Sequence, residues 1–234
     1  MSGHSKWATT HRQKAVVDAK RGAAFTKLGN MIAIAARGGT DPTTNSSLAL
    51  AIEKARAANM PNANIQRAID RINDKNAAAL EEAVYEGYGP GGVGIIIETA
   101  TDNKNRTYPE VRTALTKNGG TMADSGSVMF QFARKGVIRV AASGEEALLT
   151  VLDAGAEDAA EEDGGLTVYT DKKELAKVRE ALLAAGMAVE DAELQYVPNN
   201  TVAIDDDETA RKLTKIIDAL EVLDDVTNVA TNAA

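Results

Sequence analysis

The spacing of apolar residues changes near residue 81, and this change constrains the fold more than any other feature of the sequence. Before it, apolar residues recur at helical spacing, as at Phe25, Leu28 and Ile32. After it, short apolar runs such as 93–100 are separated by helix-like segments. A helical region followed by alternating strands and helices predicts a protein of the α+β class.

The first 80 residues predict a small bundle of three helices. The first helix ends at Arg37-Gly38-Gly39, because a cation followed by glycine is common at helix C-termini. The second spans residues 46–59, after which Met60-Pro61 interrupts the pattern. The inward face of the third helix holds isoleucines at helical spacing: Ile65, Ile69 and Ile72. Short connections between the three helices favour an antiparallel bundle, which we assign to residues 1–80.

Residues 81–234 predict two further domains, one inserted into the other. Residues 136–198 have the order strand, helix, strand, strand, helix, strand, which is ferredoxin-like. The flanking pieces, 81–135 and 199–234, are each incomplete, so we predict that together they form one discontinuous ferredoxin-like α/β domain. Its predicted strands include 93–100, 127–133 and 201–204, and a hinge is predicted from Glu86 to Gly92.

The charge of the chain is divided unevenly between these regions. Residues 1–80 contain twelve Lys/Arg and five Asp/Glu, a net charge of +7, whereas residues 81–234 contain fourteen and twenty-nine, a net charge of −15. Cations neutralise phosphates and the acidic remainder repels them, so the asymmetry predicts that residues 1–80 bind nucleic acid. The alternative is ordinary surface charge that happens to cluster.

Composition narrows the class of protein further. The chain has no cysteine, which excludes disulfides and thiolate chemistry. The charged N-terminal residues are not followed by the apolar segment of a secretory signal, and no apolar run is long enough to cross a bilayer. We therefore expect a cytoplasmic protein, with the oligomeric state open and a monomer favoured.

A series of short motifs runs along the chain: Gly3-His4-Ser5-Lys6-Trp7, Lys20-Arg21-Gly22, Phe25-Thr26-Lys27-Leu28, Ala35-Ala36-Arg37-Gly38-Gly39, Asn59-Met60-Pro61, Tyr85 to Gly92, Thr101 to Thr107, and Gly126-Ser127-Val128. In this order they resemble the YebC/PmpR family of transcriptional regulators. The resemblance covers essentially the whole chain. It departs from the family at Ala23, where a lysine is usual, and at Ala63, where an acidic residue is common.

The resemblance implies a fold and a function. It implies a helical N-terminal domain followed by two α/β domains, and a cytoplasmic protein that binds DNA and regulates transcription. Because relatives include a mitochondrial translational activator, it also implies an alternative. In that alternative the protein is a ribosome-associated, RNA-binding translation factor that helps synthesis through proline-rich stretches.

The candidate contacts with nucleic acid are cations, histidines and one tryptophan, most of them near the N-terminus: His4, Lys6, Trp7, His11, Arg12, Lys14, Lys20, Arg21, Lys27, Arg37, Lys104 and Arg106. The cations would bind phosphates, and Trp7 offers a flat face for a base. The alternatives are a solvated helix face for the basic cluster and packing against the bundle for Trp7.

Lys104 and Arg106 follow a predicted strand and lie at the start of a predicted helix. Free backbone N–H groups at a helix N-terminus, together with two cations, could hold a phosphate. The alternative is a capped turn with solvated charges, because Thr107 and Glu110 have the spacing of a capping box.

The sequence offers little for catalysis or metal binding. Two histidines without cysteine or a metalloprotease spacing are too few ligands for a metal. The glycine-rich segment 87–94 lacks the lysine and the following helix of a phosphate-binding loop, and no nucleophile or dinucleotide motif is present. We therefore predict a protein that is not an enzyme and needs no cofactor.

Overall fold

The computed structural model describes residues 19–74, 78–162 and 164–234, with side chains from residue 22 onward. These ranges contain α-helices and two antiparallel four-stranded sheets, which confirms the predicted α+β class. The helices are α1 (Ala19–Ala35), α2 (Ser46–Ala57), α3 (Asn62–Asp70), α4 (Lys104–Lys117), α5 (Glu145–Asp153), α6 (Leu175–Ala184) and α7 (Asp207–Glu221). The strands are β1 (Glu81–Tyr88), β2 (Gly94–Thr101), β3 (Thr121–Ala123), β4 (Phe132–Val140), β5 (Asp158–Glu162), β6 (Gly165–Asp171), β7 (Val189–Pro198) and β8 (Val226–Thr231).

Helices α1, α2 and α3 pack around one aliphatic core. Ile32 of α1 and Leu48 of α2 are fully buried there, and Ile65 and Ile69 of α3 are at most 8% exposed. The third predicted isoleucine does not join them, because the α-helix ends at Asp70 and a 3₁₀ turn over Arg71–Asn73 leaves Ile72 41% exposed. Burial of these side chains, at about 1.5–3 kcal/mol each, holds the three short helices together.

The start of α2 is fixed by a side-chain cap. Asn45 is 8% exposed, and its Oδ1 accepts a hydrogen bond from the backbone N–H of Leu48 at 3.1 Å. Its Nδ2 donates to the carbonyl oxygens of Ala35 and Gly39, at the end of the preceding helix. One asparagine therefore satisfies unpaired backbone groups of two successive helices and sets the tight connection between them.

The first sheet has the strand order β3-β1-β2-β8. Helices α4 and α7 cover one face of it, where Ile95 and Ile97 of β2 meet Leu115 of α4 and Ile216 of α7. Strand β2 confirms the prediction for 93–100, and β8 returns from the far end of the chain to pair beside it. The order is not the ferredoxin-like one expected for this region, because β1 and β3 pair in the sheet in place of the predicted strands at 127–133 and 201–204.

Strand β1 corrects the predicted hinge. Glu86 to Tyr88 belong to the strand, and only the segment from Gly89 to Gly92 forms the turn into β2. Gly91 and Gly92 have φ angles of 74° and 77°, which side chains other than glycine rarely adopt. The hairpin pairs Tyr88 with Gly94, so the glycine-rich motif is a strand connection.

Two further strands predicted for this region are wrong. Residues 127–133 contain a 3₁₀ turn at Met129–Gln131, and Phe132 begins β4 of the second sheet. Residues 201–204 make a single isolated bridge, between Val202 and Ala233. In both segments alternate apolar side chains pack against a core: Val202 and Ile204 against the core of the first sheet, and Val128 and Phe132 in a smaller cluster. This packing gives the pattern of a strand without its pairing.

The second sheet has the order β5-β6-β4-β7, with α5 and α6 packed on it. The sequence of elements from β4 to β7 is the predicted strand, helix, strand, strand, helix, strand. Its core contains Ile138, Leu166 and Val168 from the strands and Leu182 from α6. The exact boundaries proposed for the three domains stay a prediction.

Candidate nucleic-acid interface

The structure describes the side chains of four of the twelve predicted contact residues. Six of the twelve lie outside the described residues: His4, Lys6, Trp7, His11, Arg12 and Lys14. Lys20 and Arg21 lie in the first turn of α1, but their side chains lie outside the described set as well. The role of these eight residues in binding stays a prediction.

Lys27 links α1 to α7, one of the two helices that cover the first sheet. Its Nζ donates to the backbone carbonyl of Glu221, the last residue of α7. Burial lowers the pKa of Lys27, although the nearby carboxylates of Glu221 and Asp224 act to raise it. A cation at a helix C-terminus is favourable, because unpaired carbonyl groups carry partial negative charge there. Lys27 therefore has an internal partner at an interface between helices.

Arg37 has a similar internal contact. It lies in the 3₁₀ turn after α1, and its Nη2 donates to the backbone carbonyl of Leu80. Leu80 is 6% exposed and directly precedes β1. Arg37 is exposed overall, so its guanidinium has further N–H donors that face solvent. Its contact with Leu80 links the end of α1 to the residue that precedes β1.

Lys104 and Arg106 lie at the start of α4, and both are paired with carboxylates. Lys104 Nζ is 2.6 Å from Glu81 Oε2, and this hydrogen bond raises the pKa of the lysine. Arg106 Nη2 lies 2.8 Å from Asp225 Oδ2 and 3.2 Å from Asp102 Oδ1. Their side chains are 52% and 47% exposed, so solvent screens both pairs strongly.

Asp225 is the centre of a buried polar cluster at this end of α4. It is 6% exposed, and its Oδ2 accepts hydrogen bonds from the hydroxyls of Thr101 at 3.0 Å and Thr107 at 2.6 Å. Burial would raise the pKa of Asp225, but hydrogen bonds from Thr107, Arg106 and Thr101 outweigh it and lower the pKa. The cluster fixes the motif from Thr101 to Thr107 against the loop that precedes β8.

The predicted capping box at this helix is wrong. α4 begins at Lys104, and the side chain of Asn103 caps it by accepting from the backbone N–H of Arg106 at 3.2 Å. The hydroxyl of Thr107 is directed to Asp225 instead of to the helix terminus. With a cap and three carboxylates already at this helix end, the geometry supports the capped turn over a phosphate site.

Two motifs of the family resemblance meet at Glu86. This side chain is 3% exposed, and its carboxylate accepts from the backbone N–H groups of Gly126 at 2.6 Å, Val128 at 2.6 Å and Met129 at 2.8 Å. The hydroxyl of Tyr88 donates to the carbonyl of Ser127. The motif at 85–92 therefore holds the motif at 126–128 in place, and both have a structural role here.

Two exposed arginines were missed in the sequence. Arg56 lies in the last turn of α2 and Arg67 in α3, and both are exposed. Among the described residues, no carboxylate lies within ion-pair distance of either. Their signal in the sequence is a single cation on the polar face of an amphipathic helix, which is weaker than the dense cluster of cations near the N-terminus.

A cleft of about 620 Å³ lies between the helical bundle and the two sheets. Lys54 of α2 pairs with Glu193 of β7 across it, and Arg134 pairs with Glu98 while its guanidinium lies 4.5 Å from the centre of the Tyr196 ring. The polar groups in the cleft are largely paired with one another, so they join the three parts of the molecule.

The described ranges give no sign of other common sites. No helix within them is long and apolar enough to cross a membrane. No group of three or more histidine, aspartate or glutamate side chains in these ranges is arranged to hold a metal ion.

Comparisons with known proteins agree along the whole chain. The family model described as the TACO1/YebC protein N-terminal domain matches residues 5–75, and the model described as the TACO1/YebC second and third domain matches residues 80–233. A "Probable transcriptional regulatory protein" from Moorella thermoacetica is 51% identical over 240 residues, covering 100% of this chain and 95% of that protein. A protein with a similar name from Chlorobaculum tepidum is 51% identical over 238 residues, covering 99% and 94%.

A solved structure shows the same fold. The crystal structure of a conserved hypothetical protein, Aq1575 from Aquifex aeolicus, superposes with a TM-score of 0.89 at 44% sequence identity. The match covers 95% of this chain and 93% of that chain. Two family models that together span nearly all residues, and relatives at half identity over full length, lead to one conclusion: the chain belongs to the TACO1/YebC family.

Proposed function

We propose that this protein is a regulator of transcription that binds duplex DNA through its basic N-terminal helical region. The observation that carries the proposal is the division of charge, +7 over residues 1–80 against −15 over residues 81–234. Cations release counterions from DNA when they contact phosphates, whereas the acidic sheets repel it. The names of the relatives from Moorella and Chlorobaculum support a regulatory role.

The proposal also states where the protein acts and what it needs in order to bind. The protein acts in the cytoplasm, and it needs neither a cofactor nor a metal to bind. The proposal also holds that the protein is not an enzyme: two buried carboxylates of the described residues, Glu86 and Asp225, are already engaged in internal hydrogen bonds. A catalytic acid or base needs a free position for substrate, which these two carboxylates lack.

A charge-reversal experiment tests the binding region. We expect Lys20→Glu with Arg21→Glu to weaken binding of the full chain to a duplex DNA. The plot of log affinity against log salt concentration, which falls as salt rises, should become less steep by about two. The matched control is Lys172→Glu with Lys173→Glu, which reverses two adjacent exposed cations next to α6 in the acidic part of the chain. Fluorescence anisotropy over a range of salt concentrations gives both quantities.

The competing function is a ribosome-associated translation factor, and the same variants distinguish it. Sedimentation of the full chain with ribosomes at moderate salt, together with weak binding to duplex DNA, would favour this alternative. Unchanged binding by the double variant at residues 20 and 21 would remove the N-terminal cluster from either function. Equal losses in the test and control variants would show that only net charge matters.

A further inference from the structure

The connection between α2 and α3 is short and contains a left-handed residue. α2 ends at Ala57 and α3 begins at Asn62, so four residues join them. Within this turn Asn59 has a φ angle of 59°, the only positive φ among non-glycine residues in the described ranges. Two helices joined by a three- or four-residue turn are the arrangement of a helix-turn-helix, and the left-handed Asn59 takes the conformation that glycine often supplies in such a turn.

The packing around this turn brings the two helices together. Ala55, in the last turn of α2, is fully buried, and its small side chain permits close approach of a neighbouring helix. Met60 in the turn and Ile65 in α3 are each 5% exposed and belong to the same core cluster. Helix α1 packs against both α2 and α3, as the third helix of such a unit does.

The opposite face of α3 is polar and open to solvent. Its exposed side chains include an amide, a second amide, a guanidinium and a carboxylate: Asn62, Gln66, Arg67 and Asp70. Asparagine and glutamine pair with adenine, arginine pairs with guanine, and aspartate accepts from cytosine. This short helix therefore carries, on one outward face, side chains able to recognise base edges.

Two contacts hold these side chains along the helix surface. Gln66 Nε2 donates to Asp70 Oδ1 at 2.9 Å, which leaves its carbonyl oxygen and one amide hydrogen free. Those are the two groups that an adenine edge needs. Arg67 Nη1 donates to Asn64 Oδ1 at 3.1 Å, and the remaining guanidinium donors stay available.

We propose that α3 is a recognition helix that enters the major groove of duplex DNA, with Asn62, Gln66 and Arg67 facing the base edges. This inference rests on the proposed function and adds to it the element that reads sequence. The exposed Arg56, in the last turn of α2, would contact a phosphate. Duplex DNA is the partner because its major groove admits an α-helix, whereas that of A-form RNA is deep and narrow.

Selection from a pool of randomised duplex DNA tests the proposal with the full chain. Wild-type protein is used to enrich a preferred duplex, and affinities are then measured for that duplex and for an unselected one. We expect Gln66→Ala and Arg67→Ala each to reduce the preference for the selected duplex by roughly 5- to 150-fold. Affinity for the unselected duplex should stay within about threefold for Gln66→Ala, because no charge is removed.

Two control variants distinguish a loss of sequence recognition from a general loss of affinity or stability. Arg112→Ala removes an exposed arginine from α4, and Asn200→Ala removes an exposed amide from the loop after β7; neither should change the preference. Because alanine is the best helix former, the α3 variants should keep the wild-type circular dichroism and unfolding midpoint. A variant that fails this check is replaced by Gln66→Met or Arg67→Met, which keep a long unbranched side chain but cannot pair with a base edge.

The outcomes distinguish this inference from the proposed function. If a duplex is enriched and the α3 variants keep the wild-type preference, α3 is not the recognition helix, although DNA binding stands. If duplex DNA is bound with no sequence preference, the inference is wrong and only nonspecific binding remains. If wild type binds ribosomal RNA and not duplex DNA, both the inference and the DNA-binding proposal are wrong.

Discussion

Replacing Glu86 by glutamine tests whether one buried carboxylate holds the segment from Gly126 to Met129. In the wild-type protein Oε2 accepts from the N–H groups of Val128 and Met129, and Oε1 accepts from that of Gly126. An amide has one acceptor oxygen and one donor nitrogen, so Glu86→Gln sets an N–H group against at least one of these donors. The change preserves shape and removes only charge and acceptor capacity.

The expected cost follows from these contacts. One donor left without an acceptor costs about 1–3 kcal/mol. The two remaining hydrogen bonds lose their ionic character, and since charged bonds are about twice as strong as neutral ones, we add about 1 kcal/mol. We therefore expect Glu86→Gln to lower the free energy of unfolding by about 2–4 kcal/mol near neutral pH. Urea unfolding followed by circular dichroism measures it, with exposed Glu82→Gln on the same strand as the control.

The effect should depend on pH with a defined sign. Burial would raise the pKa of Glu86, but the three backbone N–H donors outweigh it and lower the pKa. A carboxylate with a lowered pKa stabilises the folded state fully above its unfolded-state pKa, about 4.3. That stabilisation is lost as the pH falls through the folded-state pKa. The difference between wild type and Glu86→Gln should therefore be constant near neutral pH and shrink in acid.

Two results would refute this reasoning. A destabilisation no larger than that of Glu82→Gln would mean that the three hydrogen bonds contribute little beyond those made with water. A difference that stays constant into strong acid would mean that the cost comes from packing, since an ionisation effect must disappear once the carboxylate is protonated.

Two further predictions concern stability. Asp225→Asn should lower the free energy of unfolding by about 2–3 kcal/mol, which is less than for a fully buried ion pair because Arg106 is about half exposed. Asp102→Asn should lower it by under about 1 kcal/mol. Equal urea midpoints for the two variants would contradict the central role of Asp225. Gly136→Ala should cost about 1–3 kcal/mol in thermal unfolding, because the added Cβ would lie 2.3 Å from Thr170 Oγ1, and an unchanged melting temperature would show that the strand adjusts freely.

Local pattern was sufficient where an element buries one regular face. Strand β2 has a nearly continuous apolar run, and both of its faces are covered. The unit from β4 to β7 was predicted in its correct order because each strand and helix there has its own periodicity and glycine-marked ends, as at Gly155 and Gly186. In these elements the hydrophobic pattern and the packing coincide.

Local pattern failed where pairing is supplied from elsewhere. β1 has a polar sequence with two glutamates at its start and a glycine near its end, so it does not resemble a central strand. It forms because β2 and β3 pair with it on either side. The predicted cap of α4 was wrong for a related reason: the hydroxyl of Thr107 donates a hydrogen bond to Asp225, which is distant in the sequence, at 2.6 Å.

The candidate contacts with nucleic acid also combine features that the sequence shows with features that depend on distant residues. The dense cluster of cations near the N-terminus and the contrast with the acidic sheets could be read directly, because charge is a property of composition. Whether a given cation is free could not be read. Lys104 pairs with Glu81, and Arg106 pairs with a carboxylate 119 residues away.

Amino-acid order alone was enough to establish the class of fold, the sequence of most helices and strands, the uneven charge and the family. Those properties depend on neighbours within a few positions, or on composition. Folding in three dimensions settled which strands pair, which carboxylates are buried at Glu86 and Asp225, and which face of α3 is open. Each of these depends on contacts between distant residues, whose free energy exceeds the weak local preferences of the segments involved.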